Sequence, residues 1–359
     1  MTMFRGRHAV AVGGLALVGT LAGVMTWTGV AFAQAQPQLT SAYVASGLPR
    51  LDPASPAWAD APGIEVPLTA QAAVLPRLGV ASVPSMQVKS LNDGQWIAFR
   101  LEWADATRDV QAIAQDQFRD AAAIQLPLDH SLPGVCMGVR GQTVNLWHWK
   151  ADWQNDIDNG FQDITAAFPN FWKDYYPFAV GDPPFRAPTD FADPDARRFV
   201  VGWEAGNAFS DPARVTPIEE LIAEGFGTGT HREEQGVLGR GVWADGKWAV
   251  VFERPMVTSS EMQSQLRPGG AALMAVAAWN GSNGEVGARK QISSDFRLSI
   301  AAPVGAAPAG SPGAVIEPRK TTYWLPIAVA GAFAALTALA VIGGHLAGAP
   351  RRKSMDAAG

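Results

Sequence analysis

The residues best suited to chemistry gather in one stretch of the chain. Pro133-Gly-Val-Cys-Met137-Gly138 is followed by Asn145-Leu-Trp147-His148-Trp149-Lys150-Ala-Asp152-Trp153. A thioether beside an aromatic strand suits a flat, apolar ligand, because tryptophan offers broad faces and one N–H donor. The same grouping also suits a plain core, where methionine fills gaps between rings. His148 lies within this stretch, but no second histidine stands near it at metal-ligand spacing. Cys136 could ligate as a thiolate, although a lone cysteine more often serves as a small buried apolar group. Asp152, Asp156 and Asp158 have the density of a calcium loop. They lack the glycine and terminal glutamate of an EF-hand and read as a solvated acidic turn. Gly225-Phe-Gly-Thr-Gly-Thr230 has the glycine density of a phosphate loop, but no Lys-Ser/Thr follows it. It reads as a tight structural turn. No Gly-x-Ser-x-Gly, His-Glu-x-x-His or Cys-x-x-Cys occurs anywhere in the chain.

Composition narrows the classes further. The chain has 359 residues, 48% hydrophobic and 17% charged, against about 25% charged in an average soluble protein. A wholly disordered protein is excluded, and some of the apolar residues are available to a membrane. The net charge of −5 leaves no basic excess to neutralise phosphates, so no nucleic-acid partner is expected. A single cysteine excludes an intramolecular disulfide, an all-cysteine iron–sulfur site and covalent haem attachment through Cys-x-x-Cys-His.

Both ends carry targeting signals. In residues 1–33, Arg5 and Arg7 precede an apolar run, and Ala31-Phe32-Ala33 fits a small-x-small cleavage site. That pattern predicts a secretory signal peptide, with an uncleaved anchor as the alternative. Residues 325–348 contain no Asp, Glu, Lys or Arg, and about 20 apolar residues cross a bilayer core. Tyr323 and Trp324 stand where interfacial rings are favoured, and Arg351, Arg352 and Lys353 follow the span. Positive flanks stay cytoplasmic. A single transmembrane helix over 322–348 is expected, with a cytoplasmic tail at 349–359. The body then lies on the periplasmic side of a bacterial cytoplasmic membrane.

The elements that must position the candidate residues read as strands. Segments 85–90, 95–103, 144–149 and 273–279 are rich in β-branched and aromatic residues, and Asp245-Gly246 joins two apolar runs as a hairpin. The expected fold is mainly β: an antiparallel β-sandwich with short helices and long loops. One helix is expected over 218–225, with Thr216 as N-cap and Pro217 at its first position. Residues 34–67 read as an extended N-terminal arm, 68–302 as the sandwich, and 303–321 as a Pro/Ala/Gly-rich linker.

The order of several segments resembles the haem b-binding γ subunits of ethylbenzene dehydrogenase, dimethylsulfide dehydrogenase, selenate reductase and chlorate reductase, and similar subunits of nitrite oxidoreductases. The matching pieces begin with Trp96-Ile-Ala-Phe-Arg-Leu-Glu-Trp103 and Asp120-Ala-Ala-Ala-Ile-Gln125-Leu-Pro127. They continue through Met137-Gly138, Val144-Asn-Leu-Trp-His-Trp-Lys150, Ala205-Gly-Asn207 and Glu219-Glu-Leu-Ile-Ala-Glu-Gly225. They close with Gly246-Lys-Trp-Ala-Val-Val-Phe-Glu-Arg254 and Ala278-Trp-Asn-Gly-Ser-Asn-Gly-Glu-Val-Gly-Ala-Arg-Lys290.

The resemblance implies an electron-transfer subunit that is not itself a catalyst. It implies a non-covalent haem b with methionine and lysine as axial ligands, at Met137 and Lys290, with Lys247 as the fallback for the lysine. Trp147, His148 and Asn207 are then cofactor-binding residues. Implied partners are a molybdenum-containing catalytic subunit and an iron–sulfur subunit, with soluble cytochrome c as an external carrier. A lysine ligand must be neutral, and at a free pKa of about 10.4 that costs roughly 4–5 kcal/mol at pH 7, less once buried. The chain departs from the family in its C-terminal anchor, its N-terminal arm and an enlarged Pro-rich region at 168–215. The alternative function is a cell-envelope binding module that stacks a carbohydrate or other small ligand on Trp147, Trp149 and Trp153.

Overall fold

The computed structural model describes residues 37–130, 137–162, 164–168, 170, 200–303 and 305. The predicted signal peptide, the transmembrane span, the cytoplasmic tail and Cys136 lie outside the described residues. Among the described residues, no helix is long and apolar enough to cross a membrane.

The fold is mainly β. In chain order the strands are β1 (Gln38–Tyr43), β2 (Gly63–Pro67), β3 (Thr69–Ala70), β4 (Ser85–Asn92), β5 (Trp96–Ala104), β6 (Ala121–Pro127) and β7 (Val144–Lys150). They continue with β8 (Ile218–Ala223), β9 (Thr230–His231), β10 (Leu238–Ala244), β11 (Lys247–Pro255), β12 (Ala271–Trp279), β13 (Gln291–Ile292) and β14 (Phe296–Ile300). The main path of hydrogen-bonded neighbours runs β10-β11-β5-β4-β1-β14-β12-β6-β7-β8-β9. Strand β12 joins its two halves. Ala271–Met274 pair with β14, and Ala275–Trp279 pair with β6.

Period-2 alternation explains the core. One face of β5 and β11 presents Phe99, Leu101, Trp103, Trp248, Val250 and Phe252 to one face of β6, β7 and β12, which supplies Ile124, Trp147, Trp149 and Val276. Phe99 meets Trp147 at 5.8 Å between ring centroids, and Trp103 meets Trp149 at 6.1 Å, both edge to face. Gly241 is required here, because a Cβ at that position would stand 2.3 Å from Trp149 Cζ2. The Asp245-Gly246 turn forms as expected: both residues have positive φ, at 51° and 71°, as the tight hairpin turn demands.

Four expectations are corrected. Residues 218–225 do not form a helix. Ile218–Ala223 is β8, paired with β7 along its length. The tertiary reason is that adjacent glutamates must face opposite ways: Glu219 meets Lys150 on one side of the sheet, and Glu220 meets Arg254 in the core on the other. Only an extended backbone does that. The pairing is also not wholly antiparallel, since β1 runs parallel to both β4 and β14. The Pro- and Ser-rich stretch expected as an arm thereby supplies a central strand, with Leu39 fully buried. Last, the three aspartates are no solvated turn. They lie on helix α1 (Ala151–Asn159), and Asp152, Asp156 and Asp158 pair with Arg119, Arg214 and Arg240. Burial raises Asp156 to about 6 against the pull of Arg214.

Candidate functional site

The alternation that sends Trp147 and Trp149 into the core turns Leu146, His148 and Lys150 to the opposite face of β7. On that face one row of residues crosses five strands: Ile292, Ala277, Ala123, His148 and Glu219. Ala123, Ala275 and Ala277 keep the middle of the face shallow. Above it lies a cavity of about 630 Å³, lined also by Met137, Leu146, Leu221, Phe226, Gly227, Trp279 and Lys290.

Met137 and Lys290 reach this cavity from different ends of the row. Met137 packs with Val144, Leu146, Leu221 and Ala223 on β7 and β8. Its backbone is left-handed, with φ 69°, and Gly138 follows at φ 83°. A Cβ on Gly138 would stand 2.6 Å from the Gln142 carbonyl oxygen and 2.9 Å from that of Ala223. Glycine is therefore needed to tuck this loop against β8, where Gly225 N–H donates to the Met137 carbonyl at 3.0 Å. Lys290 precedes β13 and is 8% exposed, with Nζ 4.8 Å from the centre of the Trp279 ring. Its carbonyl accepts from Gln71 N–H at 2.8 Å.

His148 stacks on Trp279 with centroids 4.6 Å apart and planes 27° apart. Its Nε2 is shut off from solvent and has no hydrogen-bond partner among the described residues. Burial, and then the cations Lys150, Arg119 and Lys290, hold the imidazole well below its usual pKa, so the ring is neutral. Beside it, fully buried Lys150 donates to Glu219, which also bonds His231 Nδ1 at 2.9 Å. Trp153 caps the same ammonium, with Nζ 4.1 Å from the ring centre. Burial lowers Lys150 to about 8 although Glu219 opposes it. Glu219 is raised by burial but held below its ordinary value by Lys150.

The structure thus brings Met137, Lys290 and His148 to one cavity. Trp147 is on the other side of the sheet, fully buried, and donates from Nε1 to Asn145 Oδ1 at 2.9 Å. Asn207 is elsewhere: it caps the short turn Ala208–Ser210 by accepting from Phe209 N–H. Lys247 is exposed at the β10–β11 hairpin, 3.7 Å from Glu102. Trp147 and Trp149 are fully buried and Trp153 is 5% exposed, so these rings offer a ligand no stacking platform. Aromatic alternation alone does not say which face is core, and the buried face proves to be the tryptophan face. Sequence reasoning missed the alanine floor, Trp279 and Phe226. The signal for Phe226 was its pair of flanking glycines, both at positive φ, which make the turn expected and also place the ring at the cavity. Among the described residues, no cluster of His, Cys, Asp or Glu could hold a bare metal ion.

Comparison with known proteins adds the lineage. A respiratory nitrate reductase heme subunit of Haloferax mediterranei is 26% identical over 261 residues, covering 72% of this chain and 70% of the relative. The chlorate reductase subunit gamma of Ideonella dechloratans is 24% identical over 292 residues, covering 80% of this chain and 94% of the relative. Among solved structures, a family 9 carbohydrate-binding module of Caldicellulosiruptor kristjanssonii aligns with 76% of the chain at 7% identity and a TM-score of 0.35. That likeness is too slight to bear on function. The family model for ethylbenzene dehydrogenase matches residues 55–291, a span that includes Met137, His148 and Lys290, and the chain belongs to that family.

Proposed function

We propose that this chain is the electron-transfer subunit of an exported molybdenum oxidoreductase, holding one non-covalent haem b between Met137 and Lys290. The observation that carries the reading is the convergence of Met137, Lys290 and His148 on a single cavity over an alanine floor. Its volume of about 630 Å³ lies within the roughly 300–1,000 Å³ usual for buried ligand sites. The residues fit the group. A soft thioether favours ferrous iron, the lysine amine is a nitrogen donor, and the unpartnered His148 Nε2 is a polar atom awaiting a partner. The relatives named as heme and gamma subunits support the same reading.

When bound, haem supplies a one-electron redox centre. The chain's own part is to hold and shield it. Gly138 fixes the Met137 loop against β8, while Trp279 and Phe226 wall the cavity. No residue here is assigned a catalytic role. The substrate chemistry falls to a molybdenum subunit, an iron–sulfur subunit delivers or removes electrons, and soluble cytochrome c is the external carrier. The two halves of the strand network form a β-sandwich. A signal peptide at 1–33 directs export, and a helix at 322–348 tethers the domain to the periplasmic face of the cytoplasmic membrane.

The test is spectroscopic. The full-length chain, loaded with haem, is expected to give a low-spin b-type spectrum at one haem per chain by pyridine haemochrome assay. Met137→Ala is expected to lose the low-spin bands while keeping its far-ultraviolet circular dichroism. A chain that takes up no haem, alone or with its partner subunits, overturns the proposal.

A further inference from the structure

His148 stands apart from the two residues assigned to iron. Its ring is fixed by the stack on Trp279 and flanked in register by Ala123 and Glu219. Its Nε2 has no partner among the described residues; the charged side chains around it are paired with one another, Lys150 with Glu219, Glu219 with His231 and Arg119 with Asp152, while the Trp149 and Trp153 indole N–H groups are also without acceptors. A buried polar nitrogen with no partner costs folding free energy and calls for an explanation, such as a ligand atom that is itself a hydrogen-bonding group. Lys150 and Arg119 are near enough to depress the imidazole's basicity, and each is already matched by a carboxylate, so the ring stays neutral and is available as a donor.

We infer that His148 donates a hydrogen bond from Nε2 to a peripheral carboxylate of the bound tetrapyrrole and is not an iron ligand. The inference rests on the haem reading above. It assigns the histidine to anchoring the cofactor's acidic edge. The ring must then carry its proton on Nε2, and its stack on Trp279 holds the plane in which that donor lies. A hydrogen bond to a charged acceptor is worth enough to change affinity about tenfold or more.

The experiment compares haem with its dimethyl ester, which keeps the iron and the ring but carries no carboxylate. Full-length wild type, His148→Phe and His148→Gln are each loaded with both porphyrins, and transfer to excess apomyoglobin gives the dissociation rates. Phenylalanine keeps a ring against Trp279 and removes the donor; glutamine keeps an N–H donor. His148→Phe is expected to release haem about tenfold faster, to release the ester at the wild-type rate, and to keep low-spin bands with both. His148→Gln is expected to recover most of the loss. Equal acceleration for haem and ester would overturn the inference, because the ring would then act only by packing. Loss of the low-spin bands in His148→Phe would overturn it by making His148 an axial ligand. A wild-type chain that binds neither porphyrin is a failure of the haem reading itself, visible before any variant is made.

Discussion

Replacing Lys150 by methionine tests how the outer face of β7 is held together. Lys150 is fully buried, donates to Glu219 and sits against the Trp153 ring. Methionine keeps most of the volume and removes the charge. Glu219, 4% exposed, would be left with His231 as its remaining partner. Breaking a buried pair by removing one member costs about 3–5 kcal/mol. Because His231 Nδ1 still bonds the carboxylate, the lower end applies, about 3 kcal/mol or a ~150-fold loss in the folding equilibrium. The pair itself is a poor source of net stability, since burial pulls Lys150 down to about 8 even with Glu219 beside it. The double variant Lys150→Met/Glu219→Leu is therefore expected within about 1 kcal/mol of wild type. Urea unfolding followed by tryptophan fluorescence measures all three proteins. A single variant as stable as wild type, or a double variant no better than the single, would refute this account of the pair.

Other expectations follow from the same geometry. Gly138→Ala forces a left-handed alanine whose Cβ meets two carbonyl oxygens; it should cost about 1–3 kcal/mol and weaken haem retention, read by the same apomyoglobin transfer. Gly241→Ala drives a methyl into the fully buried Trp149 ring. It should destabilise by about 1–3 kcal/mol, with a shift in tryptophan emission and no direct change in the haem spectrum. Asp120 is held at about 7 by burial and then by Asp105, against the N–H groups of Gly281, Asp109 and Trp248. The folded chain thus keeps a proton that the unfolded chain releases near 3.8. That contribution is full in acid, falls as pH rises, and is gone above about 7. It amounts to as much as about 4 kcal/mol at 1.36 kcal/mol per pKa unit. Urea midpoints between pH 5 and 8 should fall with rising pH in wild type and flatten in Asp120→Asn; a wild-type slope of zero or of opposite sign rejects the assignment.

Much of the strand content was legible from residue types. Trp96–Ala104, Val144–Lys150 and Ala271–Trp279 carry the β-branched and aromatic density of strands, and Asp245-Gly246 announces its own turn. These are local properties, set by steric preference and by a two-residue period. The run Ile218–Ala223 satisfies local helix rules, with Thr-Pro before Ile-Glu-Glu-Leu, yet pairing with β7 and two opposed glutamate contacts override them. Strand β1 was invisible for the complementary reason. Its flanking prolines and serines look irregular, and its place between β4 and β14 is set by partners far away in sequence.

For the site, residue types were enough to single out Met137 and His148 as chemically distinctive, and Lys290 came only from the family resemblance. They could not say that the tryptophan face of β7 points into the core, because alternation defines two faces without naming which is buried. Nor could they show that Ala123, Ala275 and Ala277 combine into a floor, since alanines on two separate strands acquire meaning only when register sets them side by side. Residue chemistry and local backbone preference are written in the sequence. Which side chains share a cavity, and which buried nitrogen is left without a partner, is decided by long-range strand pairing.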